Sequence, residues 1–444
     1  MKIKFLNGVK TVTGANYLVE TKETKFLVDC GLIQGVNVCE LENFDPFSFN
    51  PYEINFVLVT HAHLDHIGRL PKLFKEGFNG YVYSVLPTKD LSREMFIDSL
   101  KVLEENCKFL NKEILYDQDE IQKVLSHWIG KKYREKVKIN DVEFEFYNAG
   151  HILGSSFIYI ENENKKLVFS GDLGNINPLL EETEPLPQDT DYLVLESTYG
   201  DRLHEDLDKR KDMLEDIIEE TIKNKRTLII PAFALERSQE ILYDIISLIE
   251  DKKVPEINIF LDSPLGIRIL KTYEHYPDFL SEKAKEFFVH RDYSKLEYLK
   301  IGVSDYELKN SADPKIIISS SGTLRGGRIM SILKIFIEEE STTILFVGFQ
   351  PEGSLGREIL EGRKEIIIDG EKYKVKAKIE KIMSYSGHKD QKAILEWVYP
   401  LKNRLKKIFL VQGDPEAKKA LKIKLEDYLG IKTIIPKEKE EYIL

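Results

Sequence analysis

Cysteine is scarce: 444 residues hold three, Cys30, Cys39 and Cys107, an odd number with no Cys-x-x-Cys spacing. Neither a disulfide framework nor a cysteine zinc site is indicated. Long apolar runs are also missing. No stretch approaches the ~18 apolar residues that a membrane span needs, and the start, Met-Lys-Ile-Lys-Phe-Leu-Asn-Gly, has no apolar signal core. A soluble, cytoplasmic protein with no membrane partner is expected. Nor is there an excess of positive charge. The net charge of -11 argues against a surface that attracts nucleic acid over its whole extent, while leaving room for a local basic groove. With 42% hydrophobic and 31% charged residues the chain is globular rather than disordered, and its length suits two domains.

What the sequence has in abundance is metal-ligand chemistry in one place. Residues 56 to 68 read Phe-Val-Leu-Val-Thr-His-Ala-His-Leu-Asp-His-Ile-Gly. The unbroken apolar run from Phe56 to Val59 reads as a strand buried on both faces, and Gly68 followed by Pro71 marks the turn into a helix. The strand therefore delivers His61, His63, Asp65 and His66 to one loop. Imidazole and carboxylate are the ligand types of catalytic zinc, where three protein ligands leave a position open. His61 and His63 are close enough for one ion, and Asp65 and His66 suit a neighbouring one.

Other strand-like runs end in the same way. Val142 to Tyr147 leads to Asn148-Ala149-Gly150-His151, and Leu167 to Ser170 to Gly171-Asp172-Leu173-Gly174. Asp191 to Leu195 leads to Glu196-Ser197-Thr198-Tyr199-Gly200. Early hairpins are expected over residues 3 to 29, ending at Asp29. Residues 91 to 128 have helical spacing and read as an exposed helical insertion, with Cys107, His127 and Trp128 as packing residues. From about 202 to 382 helical and strand patterns alternate, which predicts a mostly parallel sheet covered by helices. Motifs there sit just after strands, where open α/β sheets bind ligands. One is Ser319-Ser320-Ser321-Gly322-Thr323-Leu324-Arg325-Gly326-Gly327-Arg328, and another is Gly353-Ser354-Leu355-Gly356-Arg357. Hydroxyls, glycines and arginines at a helix N-terminus suit a phosphodiester, which singles out Ser320, Ser321, Gly322, Arg328 and Arg357.

Thr-His-Ala-His-Leu-Asp-His resembles the signature of the metallo-β-lactamase superfamily. Val12 to Val19, Val28 to Gly35 and Glu-Ser-Thr-Tyr-Gly at 196 to 200 resemble its β-CASP branch of RNA- and DNA-cutting nucleases. The resemblance implies an α/β fold: an αββα sandwich from residues 1–201 and 383–444, interrupted by an α/β β-CASP domain at 202–382. It also implies that His151 is the third ligand of the first ion, that Asp172 bridges two ions and that Asp29 braces the metal loops. His388, in Ser384-Tyr385-Ser386-Gly387-His388, becomes the general acid held by Glu196. The implied reaction is zinc-dependent hydrolysis of single-stranded RNA in the cleft between the domains. Asp65 would help orient the attacking water, and the ends left would be 5′-phosphate and 3′-hydroxyl. Two zinc ions are expected, manganese can serve instead, and family habit suggests a homodimer.

The chain departs from the family at several positions. Glu236 stands where glycine is common, Thr323 where Met is usual, and Met330 and Ser331 where a histidine is usual. After Ile408 to Val411 the family typically has His-Gly-Glu, whose His completes the second metal site; here Gln412-Gly413-Asp414 follows. His127, His204, His275 and His290 have no matching context. Gln412 is thus a weak ligand candidate, since a carboxamide oxygen is a poorer donor than imidazole. Three outcomes stay open: two ions with the second held loosely or absent at times, a one-ion hydrolase, or a non-catalytic RNA-binding or assembly protein. A DNA-directed nuclease is the remaining alternative.

Overall fold

The computed structural model describes all residues except 36–38, 108–112, 206–208, 290–294, 325 and 352. His290 and Arg325 therefore lie outside the described residues. The chain forms two compact units, one from Met1–Leu203 with Gly387–Leu444, the other His204–Ser386.

The first unit is built on two seven-stranded sheets. One begins with the expected hairpins: Lys2–Asn7 pairs antiparallel with Asn16–Glu20, and that strand with Lys25–Val28. Phe56–Leu58, Tyr81–Val85 and Trp128–Lys131 then add in parallel. In the other sheet Lys407–Val411, Tyr192–Glu196 and Lys165–Phe169 lie parallel, and Ser156–Asn162 and Val142–Asn148 continue antiparallel. The sheets face each other through aromatic side chains. Phe5 lies against Phe409 with ring centroids 5.3 Å apart, Tyr17 against Phe169 at 5.6 Å, and Phe56 against Phe144 at 5.7 Å. On the outer face of the second sheet, Ile394 and Val398 of the helix Gln391–Val398 and Leu421 and Leu425 of the helix Pro415–Leu429 pack with Leu193, Leu195, Ile408 and Leu410.

Two sequence expectations are corrected here. The helical pattern near residues 91–128 is not an exposed insertion. The helix Leu86–Asn106 follows directly on the strand Tyr81–Val85, and Leu91, Phe96, Leu100 and Leu103 are buried. Trp128 belongs to the edge strand beside it, with its indole N–H donating to Ser84 Oγ at 2.8 Å. A weak stripe diluted by charged residues resembles a surface helix in sequence, yet it covers the sheet. Second, Cys39 and Cys107 form a disulfide, leaving buried Cys30 free. The partners are 68 residues apart, and spacing in the chain cannot show a proximity that the fold creates.

The second unit holds a parallel six-stranded sheet in the order Leu299–Ile301, Asn258–Asp262, Lys315–Ser319, Thr227–Pro231, Thr342–Phe346, Lys378–Lys381. Its central strands are continuous buried aliphatic runs, such as Leu228-Ile229-Ile230 and Ile316-Ile317-Ile318, as a sheet covered on both faces requires. Glu236, in a glycine position of the family, has φ of 72°. That left-handed backbone is unfavourable for a side chain, but the buried Glu236 carboxylate accepts a hydrogen bond from the Tyr273 hydroxyl.

The free thiol of Cys30 is fully buried and pushed up to about 12 by that burial, so it is unreactive in the folded chain. Thiol titration should therefore find none in the native protein, one after denaturation without reductant, and all three after reduction. Three accessible thiols in unreduced denaturant would show that the Cys39–Cys107 link does not form.

Candidate metal centre

The centre is assembled where strands of the first unit stop. Asp29 follows the strand Lys25–Val28 at φ 58° and is almost completely buried. Its carboxylate accepts from Thr60 N at 2.8 Å, Thr60 Oγ1 at 2.8 Å and His66 Nδ1 at 2.7 Å. One buried anion thus fixes both ends of the Thr60–His66 segment. Backbone bonds do the rest: Cys30 N donates to His66 O at 2.7 Å, Leu32 N to Leu64 O at 2.8 Å, and Ala15 N to Asp65 O at 2.8 Å. So close is the approach that a Cβ on Gly31 would lie 1.5 Å from the Asp65 carbonyl oxygen.

Held this way, His61 and His63 meet His151 and Asp172, whose ligand atoms all lie within 4.8 Å of one another. His61 Nε2 is 3.0 Å from His63 Nδ1, and His63 Nδ1 is 3.3 Å from His151 Nε2. Asp172 Oδ2 is 3.5 Å from His61 Nε2 and 3.6 Å from His151 Nε2. Atoms bound tetrahedrally at ~2.1 Å to one ion stand ~3.4 Å apart. The donor set fits a divalent ion on these distances.

The outer ring atoms are assigned as well. Thr60 donates its hydroxyl to Asp29, so its oxygen accepts from His61 Nδ1 at 3.1 Å. His151 Nδ1 donates to Gly387 O at 2.9 Å, which turns Nε2 inward as a lone pair. Burial also drives these imidazoles to the neutral form, His61 and His63 well below the ordinary histidine value and His151 to about 4.

Beside this set, Asp172, Glu196 and His388 form a second group within 4.8 Å. The Glu196 carboxylate is fully buried, accepts from Leu173 N at 2.6 Å, and faces His388 Nδ1 at 3.2 Å from each oxygen. Burial disfavours the imidazolium, but the charge and hydrogen bond of Glu196, with Asp172 and Asp65 adding to them, raise His388 to about 9. Neither group includes Asp65 or His66. Asp65 Oδ2 lies 3.9 Å from His66 Nε2, and burial raises the Asp65 carboxyl to about 6.

His66 Nε2 is 3.2 Å from Asp172 Oδ1, and Gln412 closes on both. Its Nε2 donates to His66 Nε2 at 2.9 Å and to Asp172 Oδ1 at 2.8 Å, while Tyr17 donates its hydroxyl to Gln412 Oε1 at 3.4 Å. Gln412 is almost completely buried, at φ 48°, beyond the strand Lys407–Val411.

This geometry can be set beside known proteins. Family models match in order: a metallo-beta-lactamase superfamily domain at 18–177, a Beta-Casp domain at 238–359, and a Zn-dependent metallo-hydrolase RNA specificity domain at 372–436. The chain is 33% identical to the ribonuclease TTHA0252 of Thermus thermophilus, over 95% of each chain. It belongs to the β-CASP branch of the metallo-β-lactamase superfamily. Among its β-CASP relatives, an RNase J-like protein of Methanocaldococcus jannaschii is 32% identical over 98% of this chain and 97% of its own. Transcription termination factor FttA of Methanosarcina mazei is 31% identical over 94% of this chain and 67% of its own. A solved protein of unknown function from Enterococcus faecalis, at TM-score 0.60 and 13% identity over 100% of this chain and 99% of its own, shares the fold. As a β-CASP protein the chain is a metal-dependent hydrolase, with divalent-metal binding implied by its family and matched by the four-residue donor set.

The residues singled out in the β-CASP domain lie in the second unit. Ser320 accepts a hydrogen bond from Ser263 Oγ at 3.0 Å, and Gly322 O accepts from Gln350 Nε2 at 2.9 Å. Arg328 opens a helix with its guanidinium on Asp262, Nη2 to Oδ2 at 2.8 Å, and on Asp305. Arg357 Nε donates to Glu361 at 2.6 Å. Both guanidiniums are thus engaged by carboxylates. Among the histidines set aside in the sequence, His127 packs beside Phe74 with ring centroids 5.3 Å apart. Sequence reasoning gave no role to Thr60 or Tyr17. A polar residue between an apolar strand and the first histidine was the one visible signal for Thr60; for Tyr17 there was none.

Gly31→Ala should push the Asp65–His66 backbone away, because the obstacle is main chain and cannot rotate aside. Overpacking of this kind costs about 1–3 kcal/mol or more. A lowered denaturation midpoint together with a lower metal content after gel filtration is the expected result. Wild-type values for both would show that the loop is not wedged against Gly31.

Proposed function

We propose that this β-CASP hydrolase is a ribonuclease that cuts single-stranded RNA, using zinc held by His61, His63, His151 and Asp172. The observation that carries the reading is the Glu196–His388 pair: a buried carboxylate and an imidazole raised to about 9 stand beside the donor set, through Asp172. A protonated acid beside a metal site is what cleavage of a phosphodiester with a poor leaving group needs. RNA as the polymer is supported by the match to an RNA specificity domain and by the relative named a ribonuclease.

Bound at those residues, the ion supplies Lewis acidity and an acidified water. The protein's part is acid–base and positioning chemistry. Water oxygen forms a bond to phosphorus as the bond from phosphorus to the 3′ oxygen breaks. The His388 Nε2 proton passes to that departing oxygen, and Asp65 orients the incoming water. The products carry a 5′-phosphate and a 3′-hydroxyl. Glu196 keeps Nδ1 of His388 hydrogen-bonded, so the proton to be given sits on the other nitrogen. Ser320, Ser321 and Gly322 are proposed for substrate phosphate, through hydroxyl and backbone donors. Arg328 and Arg357 would take part only by leaving their carboxylate partners.

The proposal is tested by incubating the zinc-loaded protein with end-labelled single-stranded RNA and, in competition, single-stranded DNA of the same sequence. Cleavage of RNA that unlabelled DNA fails to inhibit, and that His388→Ala reduces by ~10²–10⁴-fold, is expected. RNA binding without turnover would replace it with the non-catalytic reading, towards which the FttA similarity also leads.

The pH profile carries a sign. The His388 pKa is raised above the ordinary value of 6.5, so the acid is protonated below about 9 and is lost as pH rises through it. Its contribution to stability follows the same course, complete below 6.5 and fading towards 9. Cleavage should therefore fall on the alkaline side. A bound cation lowers the position of that limb, and Glu196→Gln should move it further towards acid. An alkaline limb that Glu196→Gln leaves in place would remove His388 from the role of acid.

A further inference from the structure

The amide of Gln412 has no free end. Its backbone N donates to Gly8 O at 2.7 Å, and its backbone O accepts from Ser197 N at 3.3 Å and Thr198 Oγ1 at 3.1 Å. The side chain is placed between Tyr17 on the oxygen side and His66 and Asp172 on the nitrogen side. His66 decides what this means. Its Nδ1 faces the Asp29 carboxylate at 2.7 Å, and a carboxylate only accepts, so the ring hydrogen is on Nδ1. A neutral imidazole then has one lone pair, on Nε2, which receives the Gln412 N–H. A single lone pair cannot also bind an ion.

We propose that the Gln412 side-chain amide stands in the place of a second ion, joining His66 to Asp172 through its two N–H bonds, so that this chain holds one ion. The distances distinguish the two halves of the centre. In the first donor set the neighbouring atoms stand 3.0–3.6 Å apart, the spacing of atoms around an ion. Gln412 lies 2.9 and 2.8 Å from its two acceptors, the length of an N–H bond. Asp172 serves both: Oδ2 faces the first donor set and Oδ1 the amide. The rival arrangement turns the amide over, presents Oε1 to a second ion and places Nε2 against the Tyr17 oxygen, which can accept.

The inference rests on the metal centre of the proposed ribonuclease but not on its substrate. Chelator-stripped full-length protein is mixed with several equivalents of zinc, passed through a desalting column, and its zinc per chain measured by elemental analysis. About one equivalent is expected in the wild type and about two in Gln412→His, whose imidazole offers a donor atom in place of the N–H bonds. Two equivalents in the wild type would overturn the proposal in favour of the turned amide. So would one equivalent in a Gln412→His protein that melts like the wild type. The wild-type count stands even if the variant does not fold. RNA cleavage by the wild type is read separately. One ion without cleavage would sink the ribonuclease and leave the amide assignment intact; two ions with cleavage would do the reverse.

Discussion

The centre depends on one buried carboxylate. Asp29 accepts three hydrogen bonds, two from Thr60 and one from His66. Such an anion, cut off from water, is tolerable only with its acceptors filled. Filling them dictates the path of the chain. Thr60 must turn its hydroxyl towards Asp29, which leaves its oxygen to orient His61, and His66 must present Nδ1. The positive φ of Asp29 and the lack of a side chain at Gly31 belong to the same constraint, since both let the first strand's end press against the metal loop. Preorganisation of this kind lets four donors converge before any ion arrives.

The Glu196–His388 pair is organised on the same plan. Glu196 is fully buried and takes a backbone N–H from Leu173, beside the very residue that supplies the Asp172 carboxylate. Gly174 pairs with His388 in an isolated β-bridge, so the loop carrying the acid is docked on the loop carrying the ligand. A Cβ on Gly174 would lie 1.7 Å from the Gly150 carbonyl, one residue before His151. Three loops from distant parts of the chain therefore share one set of close backbone contacts. Movement in any of them is felt by the ligand and the acid together.

Much of this was legible because the plan recurs. An apolar run that stops at a glycine, histidine or carboxylate is visible in sequence, and at Phe56, Val142, Leu167 and Tyr192 it led to the residues that converge. The parallel sheet of the second unit was legible for the same reason, from runs such as Ile316-Ile317-Ile318. What escaped detection was contact between segments far apart in the chain. The Cys39–Cys107 link, the burial of the helix Leu86–Asn106 and the Tyr17 hydroxyl on Gln412 are products of the assembled sandwich. Arg328 was singled out for phosphate by its company of serines and glycines, and only the fold brings Asp262 and Asp305 to it.

Gln412 shows how one substitution reaches both halves of the centre. Asp172 is a single anion with two oxygens, and charge drawn to one is withdrawn from the other. An N–H donor on Oδ1 neutralises far less of that charge than a divalent cation would. More of the anion's basicity remains on Oδ2, which faces His61 and His151. A neutral amide at position 412 therefore strengthens Asp172 as a donor to the first ion, while leaving Asp65 without a second cation to offset its charge. Burial holds the Asp65 carboxyl up to about 6, so it can lose or take a proton near neutral pH. In a centre with one ion, Asp65 is consequently suited to accept a proton from the attacking water as well as to orient it, a role that a carboxylate tied to a second cation could fill less well.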